Sequence, residues 1–500
     1  MYGIMIQGTS SDVGKSFICT ALCRALARKG IRVAPFKSQN MSNNSYVTKD
    51  GAEIGRAQGV QAEAAEVEPT VMMSPILLKP RNDQTSEVIR FGRVVETLSG
   101  FDYRKQFYEL GLATITKALE SLEEDYEAIV IEGAGSPVEM NLNDRELVNM
   151  KVAELADVPV ILVADIDRGG IFASIAGTLQ LLTEKERSRV IGVIVNKFRG
   201  DRALFDSGRE WIETNLHIPV LAVLPHVNNH RIESEDSLAR ESRYSMKKRV
   251  DKSLDLVMID LPYLANDTDI EPFRYEKDVS IRLVGMHDEL GYPDSVILPG
   301  TQSTIRDLER MKSSGLGEQL IRYIEKGGTV IGISGGYHML GETLLDGTCS
   351  QTDAQVEGLS IFPIQTTFGS EKQTVPAKGL FTHAKLHSLS KVAGFQVQHG
   401  KVQPLQAITP LLSIQEREDG VFAEGGRLIG TSMHHLFYHD DFRAWWLNRL
   451  RRARGFNERQ AENVKVERLR AYDEIADWLE RELDIDSLLS KMKTWREQNA

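Results

Sequence analysis

Five hundred residues at 56.0 kDa exceed one ordinary hydrophobic core, and ~150 residues per domain implies two to four domains. With 41% hydrophobic and 26% charged residues the composition is globular, which excludes wholesale disorder. Lys+Arg 60 against Asp+Glu 71 leaves a net charge of −11 with no Lys/Arg block, so neither nucleic acid nor an anionic membrane is an expected partner.

No apolar run approaches ~18 residues, and YGIMIQG follows Met1 without a basic stretch, so neither a membrane span nor a signal peptide is expected. Cys19, Cys23 and Cys349 are too few for a disulfide framework or a Cys-rich zinc site, and the expected compartment is a reducing cytoplasm.

In chain order, the runs Gly3–Gln7, Arg32–Phe36, Ala128–Glu132, Val158–Asp165, Val190–Asn196 and Val220–Leu224 predict strands. They are near-continuous in Ile, Val and Leu, as strands covered on both faces require. Helical patterns such as Lys15–Lys29 and Phe172–Leu182 lie between them, which predicts a doubly wound parallel sheet. The segment from about Asn228 to Leu254 is polar and charged, and reads as a linker or as an irregular surface excursion. A second strand series follows at Leu254–Leu261, Ile281–Val284, Ser295–Pro299 and Thr329–Ile333, the last running into SGGYHML. Leu469, Tyr472, Ile475, Leu479 and Leu483 recur at intervals of three and four, which marks one apolar helix face; with acids flanking it, core packing is expected rather than a membrane anchor.

GTSSDVGKS at Gly8–Ser16 joins the first strand to the first helix, the context a phosphate loop needs. Its glycines let backbone N–H groups converge on phosphates, the helix N-terminus adds positive potential, Lys15 reaches the outer phosphates and Ser16 can ligate Mg²⁺. The spacing between Gly8 and Gly14 is one residue longer than the common pattern. Gly8, Thr9, Asp12, Val13, Gly14, Lys15 and Ser16 are therefore the nucleotide-binding candidates. Mg²⁺ wants hard oxygen ligands, and Glu132 ends the strand AIVIE at the carboxyl edge of the sheet; Glu53 in GAEIGRAQ is a second candidate. Asn196 ends another strand, where it either reads a base edge or caps the strand.

With APFKSQNMSNNSYVT (Ala34–Thr48), GAEIGRAQ (Gly51–Gln58), SPILLKP (Ser74–Pro80), IEGAGSPVEMNL (Ile131–Leu142), DIDRGGIFAS (Asp165–Ser174) and VNKFRGD (Val195–Asp201), the first half resembles the synthetase half of the cobyric acid synthase family of cobalamin-pathway amidotransferases. The second half resembles that family's class I-like glutaminase domain in LPYLANDTDIEPF (Leu261–Phe273), VILPGTQSTIRDL (Val296–Leu308), GISGGYHMLG (Gly332–Gly341), VEGLSIFP (Val356–Pro363) and GTSMHHLF (Gly430–Phe437). The resemblance implies two α/β domains, a dethiobiotin-synthetase-like phosphate-loop domain over 1–228 and an amidotransferase-like domain over 253–450, with a linker at 229–252 and a helical extension at 451–500. It further implies ATP-dependent amidation of corrin side-chain carboxylates b, d, e and g, with ATP and Mg²⁺ as cofactors and glutamine or ammonia as nitrogen source. Ser16, Glu53 and Glu132 would hold Mg²⁺, and Lys37 would lie near the reacting phosphate or carboxylate.

The glutaminase half departs from its family pattern. Ser334 stands at the elbow where Cys is usual, and the family histidine maps onto His434, within SMHH rather than Tyr-Leu-His-Gly. Gln302 replaces a Lys, and Gln396 and Gln398 replace Glu and His. Ser334 therefore leaves three readings: lost glutaminase activity with ammonia as donor, a cysteine replaced to trap glutamine, or a working Ser334–His434 nucleophile, as the G-x-S-x-G pattern of hydrolases suggests. A phosphate-loop nucleotide switch without amidation, and a serine hydrolase, are the competing functions.

Overall fold

The computed structural model describes residues 1–500 except 43, 81–84, 142, 228–230, 233–251, 348–353, 390 and 500. The chain forms two units, one of Met1–Thr48, Glu53–Glu235 and Arg468–Ala500, the other of Lys49–Ala52 and Asp236–Glu467. Both are α/β, as the sequence predicts. Most of the expected linker at 229–252 lies outside the described residues.

The first unit is built on six parallel strands in the order Val220–Pro225, Val190–Phe198, Val160–Asp165, Tyr2–Gly8, Ala128–Glu132 and Val33–Phe36. Every residue of Ala128–Glu132 and of Val160–Asp165 is buried, which is why those runs are apolar without alternation. A second, four-stranded sheet joins Gln39–Met41, Ile76–Pro80, Thr85–Arg90 and Arg93–Ser99. Its strands are short or rich in polar residues, so no apolar period announces them.

The second unit carries a sheet ordered Val279–Val284, Leu254–Ile259, Ser295–Leu298, Val330–Ile333, Leu428–Thr431 and Val421–Ala423, parallel except for the last edge strand. Beside it the long strands Ile364–Phe381 and Val392–Pro404 pair antiparallel. Pro376, Gly379, Gly394 and Gly400 interrupt their patterns, and such residues ordinarily argue against a strand.

Residues 451–500, expected as a helical extension, are largely helical and divide between the units. The helix Asp440–Ala453 lies in the second unit, whereas the chain from Arg468 onward belongs to the first. Tyr472, Ile475, Leu479 and Leu483 enter the first unit's core together with Ile4, Ile18, Leu22 and Leu26. Ion pairs line the same contact: Arg24 with Asp473 at 2.8 Å, Arg28 with Asp477 at 2.6 Å and Lys29 with Asp486 at 2.8 Å. The apolar face read from the sequence is thus core. Among the described residues no helix is long and apolar enough to cross a membrane.

Candidate functional site

The loop Gly8–Ser16 leaves the end of strand Tyr2–Gly8 and opens the helix Lys15–Arg28. Gly14 has φ 103°, and a Cβ there would stand 2.3 Å from Asn196 Nδ2, so only glycine fits. Asp12 also takes a left-handed backbone, φ 59°. Asn196 donates its amide N–H to the Val13 carbonyl at 2.7 Å, bracing the loop from beneath. Lys197 donates to the Asp12 carbonyl at 2.6 Å and to Asp165 at 2.7 Å, and Arg168 reaches the Asp12 carboxylate at 3.3 Å. Thr9 N–H is spent on the Val163 carbonyl at 2.9 Å. These braces come from the strand ends on one side of Tyr2–Gly8, and they set the shape of the loop in advance.

Lys15 curls over the loop, donating to the carbonyls of Ser10 and Gly135 at 3.1 Å each. These are neutral acceptors, which a phosphate oxygen readily displaces as a partner for an ammonium. Ser16 Oγ donates to Glu132 Oε1 at 2.7 Å, and Lys37 Nζ donates to the same oxygen at 3.0 Å. Gln61 Nε2 donates to Glu132 Oε2 at 2.7 Å. Glu132 is 1% exposed. Burial alone would raise its carboxyl, but Lys37, Ser16 and Gln61 together outweigh burial and hold it below the usual carboxylate range. A hydroxyl and an ionised carboxylate at hydrogen-bond distance form a hard-oxygen pair suited to Mg²⁺. Glu53 is placed differently: it is buried in an ion pair with Lys79, which also donates to Ser45 Oγ at 3.1 Å.

In the second unit, Ser334 stands between strand Val330–Ile333 and the short helix Gly335–Met339, with φ 51° and ψ −114°. That conformation is costly for serine, and it marks a true elbow. A Cβ on Gly336 would lie 2.0 Å from the Leu298 carbonyl, and one on Gly335 2.7 Å from Thr301 Cγ2, which is why both are glycine. Strands Val330–Ile333 and Leu428–Thr431 pair in parallel with Ile333 opposite Thr431, and Ser334 N–H donates to the Thr431 carbonyl at 2.8 Å. The topology therefore brings Ser334 and the His434 segment to the same edge of the sheet.

His434 is 1% exposed and stacks on Phe395 at 4.7 Å. Its Nδ1 lies 2.7 Å from Asp269 Oδ2, and Asp269 Oδ1 accepts the His435 N–H at 2.6 Å. Burial would raise Asp269, but His434 and His435 keep it below the usual carboxylate range. An ionised acceptor at Nδ1 places the proton there and leaves Nε2 as the basic nitrogen. Nε2 faces the Pro299–Gly300 turn, 3.6 Å from where a Cβ on Gly300 would stand. Asp269 was not among the residues singled out from sequence. It lies in ANDTDIEPF beside Asp267 and Glu271, and nothing in that spacing says which acid meets the histidine.

Gln396 donates to Ser432 Oγ at 2.5 Å, within a half-buried group that includes Asp419 and Thr431. Gln302 bonds through its backbone N–H to the Tyr263 carbonyl at 2.8 Å. Gln398 faces Gln373 across the long antiparallel pair. Cys19 and Cys23 are fully buried in the first unit; burial and then Glu132 push both thiols up, so neither supplies a thiolate. Cys349 lies outside the described residues.

Residues 4–238 match the family described as the CobQ/CobB/MinD/ParA nucleotide binding domain, and residues 255–442 match the CobB/CobQ-like glutamine amidotransferase domain. Cobyric acid synthase of Geobacillus sp. (strain WCH70) is 45% identical over 98% of this chain and 97% of its own. That of Geobacillus thermodenitrificans is 44% identical over 99% of both chains, and that of Anoxybacillus flavithermus 47% identical over 98% and 97%. At such identity over nearly its whole length, the chain belongs to the cobyric acid synthase family.

Proposed function

We propose that the chain is an ATP-dependent amidotransferase of cobalamin biosynthesis, converting the b, d, e and g carboxylates of adenosylcobyrinic acid a,c-diamide into carboxamides. A carboxylate resists ammonia because oxide is its leaving group. Accepting the γ-phosphoryl group of ATP gives an acyl phosphate, from which ammonia expels phosphate. Lys15 and the loop N–H groups meet the phosphate charge, and Ser16 and Glu132 are the side chains that would hold Mg²⁺. Magnesium, when bound, neutralises charge on the phosphates. Lys37, already beside Glu132 without solvent between them, is placed to orient the reacting carboxylate. Glu53, paired with Lys79, is better read as a structural anchor of its own segment than as a metal ligand. A cytoplasmic location accords with this chemistry.

The observation that carries this reading is the Ser16–Glu132–Lys37 cluster at the mouth of the phosphate loop. Incubation with the corrinoid acid, ATP, Mg²⁺ and ammonium should release ADP in proportion to amide formed, and Lys15→Ala should abolish both. Corrinoid-independent ADP release, or amidation that survives Lys15→Ala, would count against it and for a nucleotide switch or another chemistry.

The nitrogen donor is read as ammonia, since Ser334 lacks the low pKa of a thiol, and glutamine should support amidation at least tenfold less well. The intact His434–Asp269 pair favours a second reading, in which Ser334 is a working nucleophile. Labelling of Ser334 by a fluorophosphonate, together with equal rates on glutamine and ammonium, would select the second.

A further inference from the structure

The two oxygens of Glu132 have separate duties. Oε1 meets Ser16 and Lys37 on the loop side, and Oε2 accepts an N–H from Gln61. An ionised carboxylate only accepts, so Gln61 must present Nε2 to it and turn Oε1 the other way. That oxygen lies 3.4 Å from Gln58 Nε2, and Gln58 Oε1 in turn lies 3.5 Å from Asn40 Nδ2. One acceptor thus dictates the direction of three carboxamides in series. All three are buried, Asn40 at 3% exposure and both glutamines at 0%.

Local structure builds the series. Gln58 and Gln61 lie three apart on the helix Arg56–Ala64 and so share a face. Asn40 sits in the strand Gln39–Met41, three residues after Lys37. Gly55 leaves the space between them, because a Cβ there would stand 2.4 Å from Asn40 Nδ2 and 2.6 Å from Gln58 Oε1. Aligned amide dipoles in a dry interior reinforce one another, and here their positive end rests on Glu132.

We infer that Gln61, oriented by Gln58 and Asn40, is a positioning residue that pins Oε2 of Glu132 and thereby turns Oε1 towards the metal of the nucleotide. This rests on the reading above that Glu132 holds that cation. The series also ties the segment after Lys37 mechanically to the metal carboxylate. Groups that orient a metal ligand in this way are worth about 10–100-fold in affinity.

The test is Mn²⁺ binding to the full chain in the presence of the non-hydrolysable analogue AMP-PNP, followed by electron paramagnetic resonance. Gln61→Met keeps the shape and removes the donor; it should weaken Mn²⁺ about tenfold or more. AMP-PNP affinity without metal should stay within about twofold of wild type. Gln58→Met should shift Mn²⁺ binding in the same direction by less, and it carries the same test should Gln61→Met fail to fold. Unchanged Mn²⁺ binding in Gln61→Met, or in Gln58→Met, would overturn the series while leaving Glu132 in its role. Unchanged binding in Glu132→Gln would overturn the metal role itself, and the inference with it.

Discussion

Replacing Lys37 by Met removes the cation bonded to Glu132 while keeping the aliphatic stem. Both side chains are nearly inaccessible, Lys37 at 8% and Glu132 at 1%. Breaking a buried pair from one side leaves an uncompensated charge, and such changes cost about 3–5 kcal/mol. In a unit of this size that corresponds to roughly 6–20 °C in melting temperature. The cost depends on pH, and its sign follows from the two states. In the wild type the folded carboxyl sits below its usual value, so its contribution is present above the unfolded value and is lost only as pH falls through the folded one. Without Lys37, burial dominates and raises the folded value, so the ionised carboxylate destabilises at neutral pH. Below that raised value the gap between variant and wild type should close by about 1.4 kcal/mol per pH unit. Calorimetry from pH 8 to pH 5 reads this, taking the transition that AMP-PNP shifts as that of the first unit. A gap equal at both ends of the range, or under about 1 kcal/mol throughout, would refute the claim that Glu132 is ionised and held by Lys37.

Ser334→Cys should raise glutamine-dependent amidation at least tenfold while leaving the ammonium-dependent rate alone; no gain would mean the surrounding loops have lost competence. In that background Asp269→Asn should cost glutamine-dependent amidation about tenfold or more and so return it to the level seen with Ser334, since His434 would lose the acceptor that fixes its tautomer, and an unaffected rate would dismiss Asp269 as an orienting group. Leu479→Ala empties a fully buried position in the first unit and should cost about 2–5 kcal/mol in the AMP-PNP-sensitive transition. A loss confined to the other transition would contradict its place in that core.

Much of this was legible in the chain. The central parallel strands announced themselves because burial on both faces demands unbroken Ile, Val and Leu, and the phosphate loop because its glycines and lysine have a spacing tied to a strand–helix junction. The edges were harder. The strands Gln39–Met41, Thr85–Arg90 and Arg93–Ser99 are too polar or short to show a period, and the long pair Ile364–Phe381 and Val392–Pro404 carries Gly and Pro that read as breaks. Glu132 could be picked out as the end of a strand; its partners Lys37 and Gln61 lie 95 and 71 residues away, a separation no local pattern spans.

By itself, then, the order of residues determined the two α/β units, the nucleotide loop, the elbow at Ser334 and an apolar helix face near the carboxyl end. Tertiary structure alone decided that this face closes the core of the amino-terminal unit, that Glu53 answers Lys79, that Asn196 supports the loop from below, and which of three neighbouring acids holds His434. The reason is physical: periodicity and turn chemistry are local and leave their mark on adjacent residues. Charge pairing and hydrogen-bond direction are settled only when distant segments exclude water from between them.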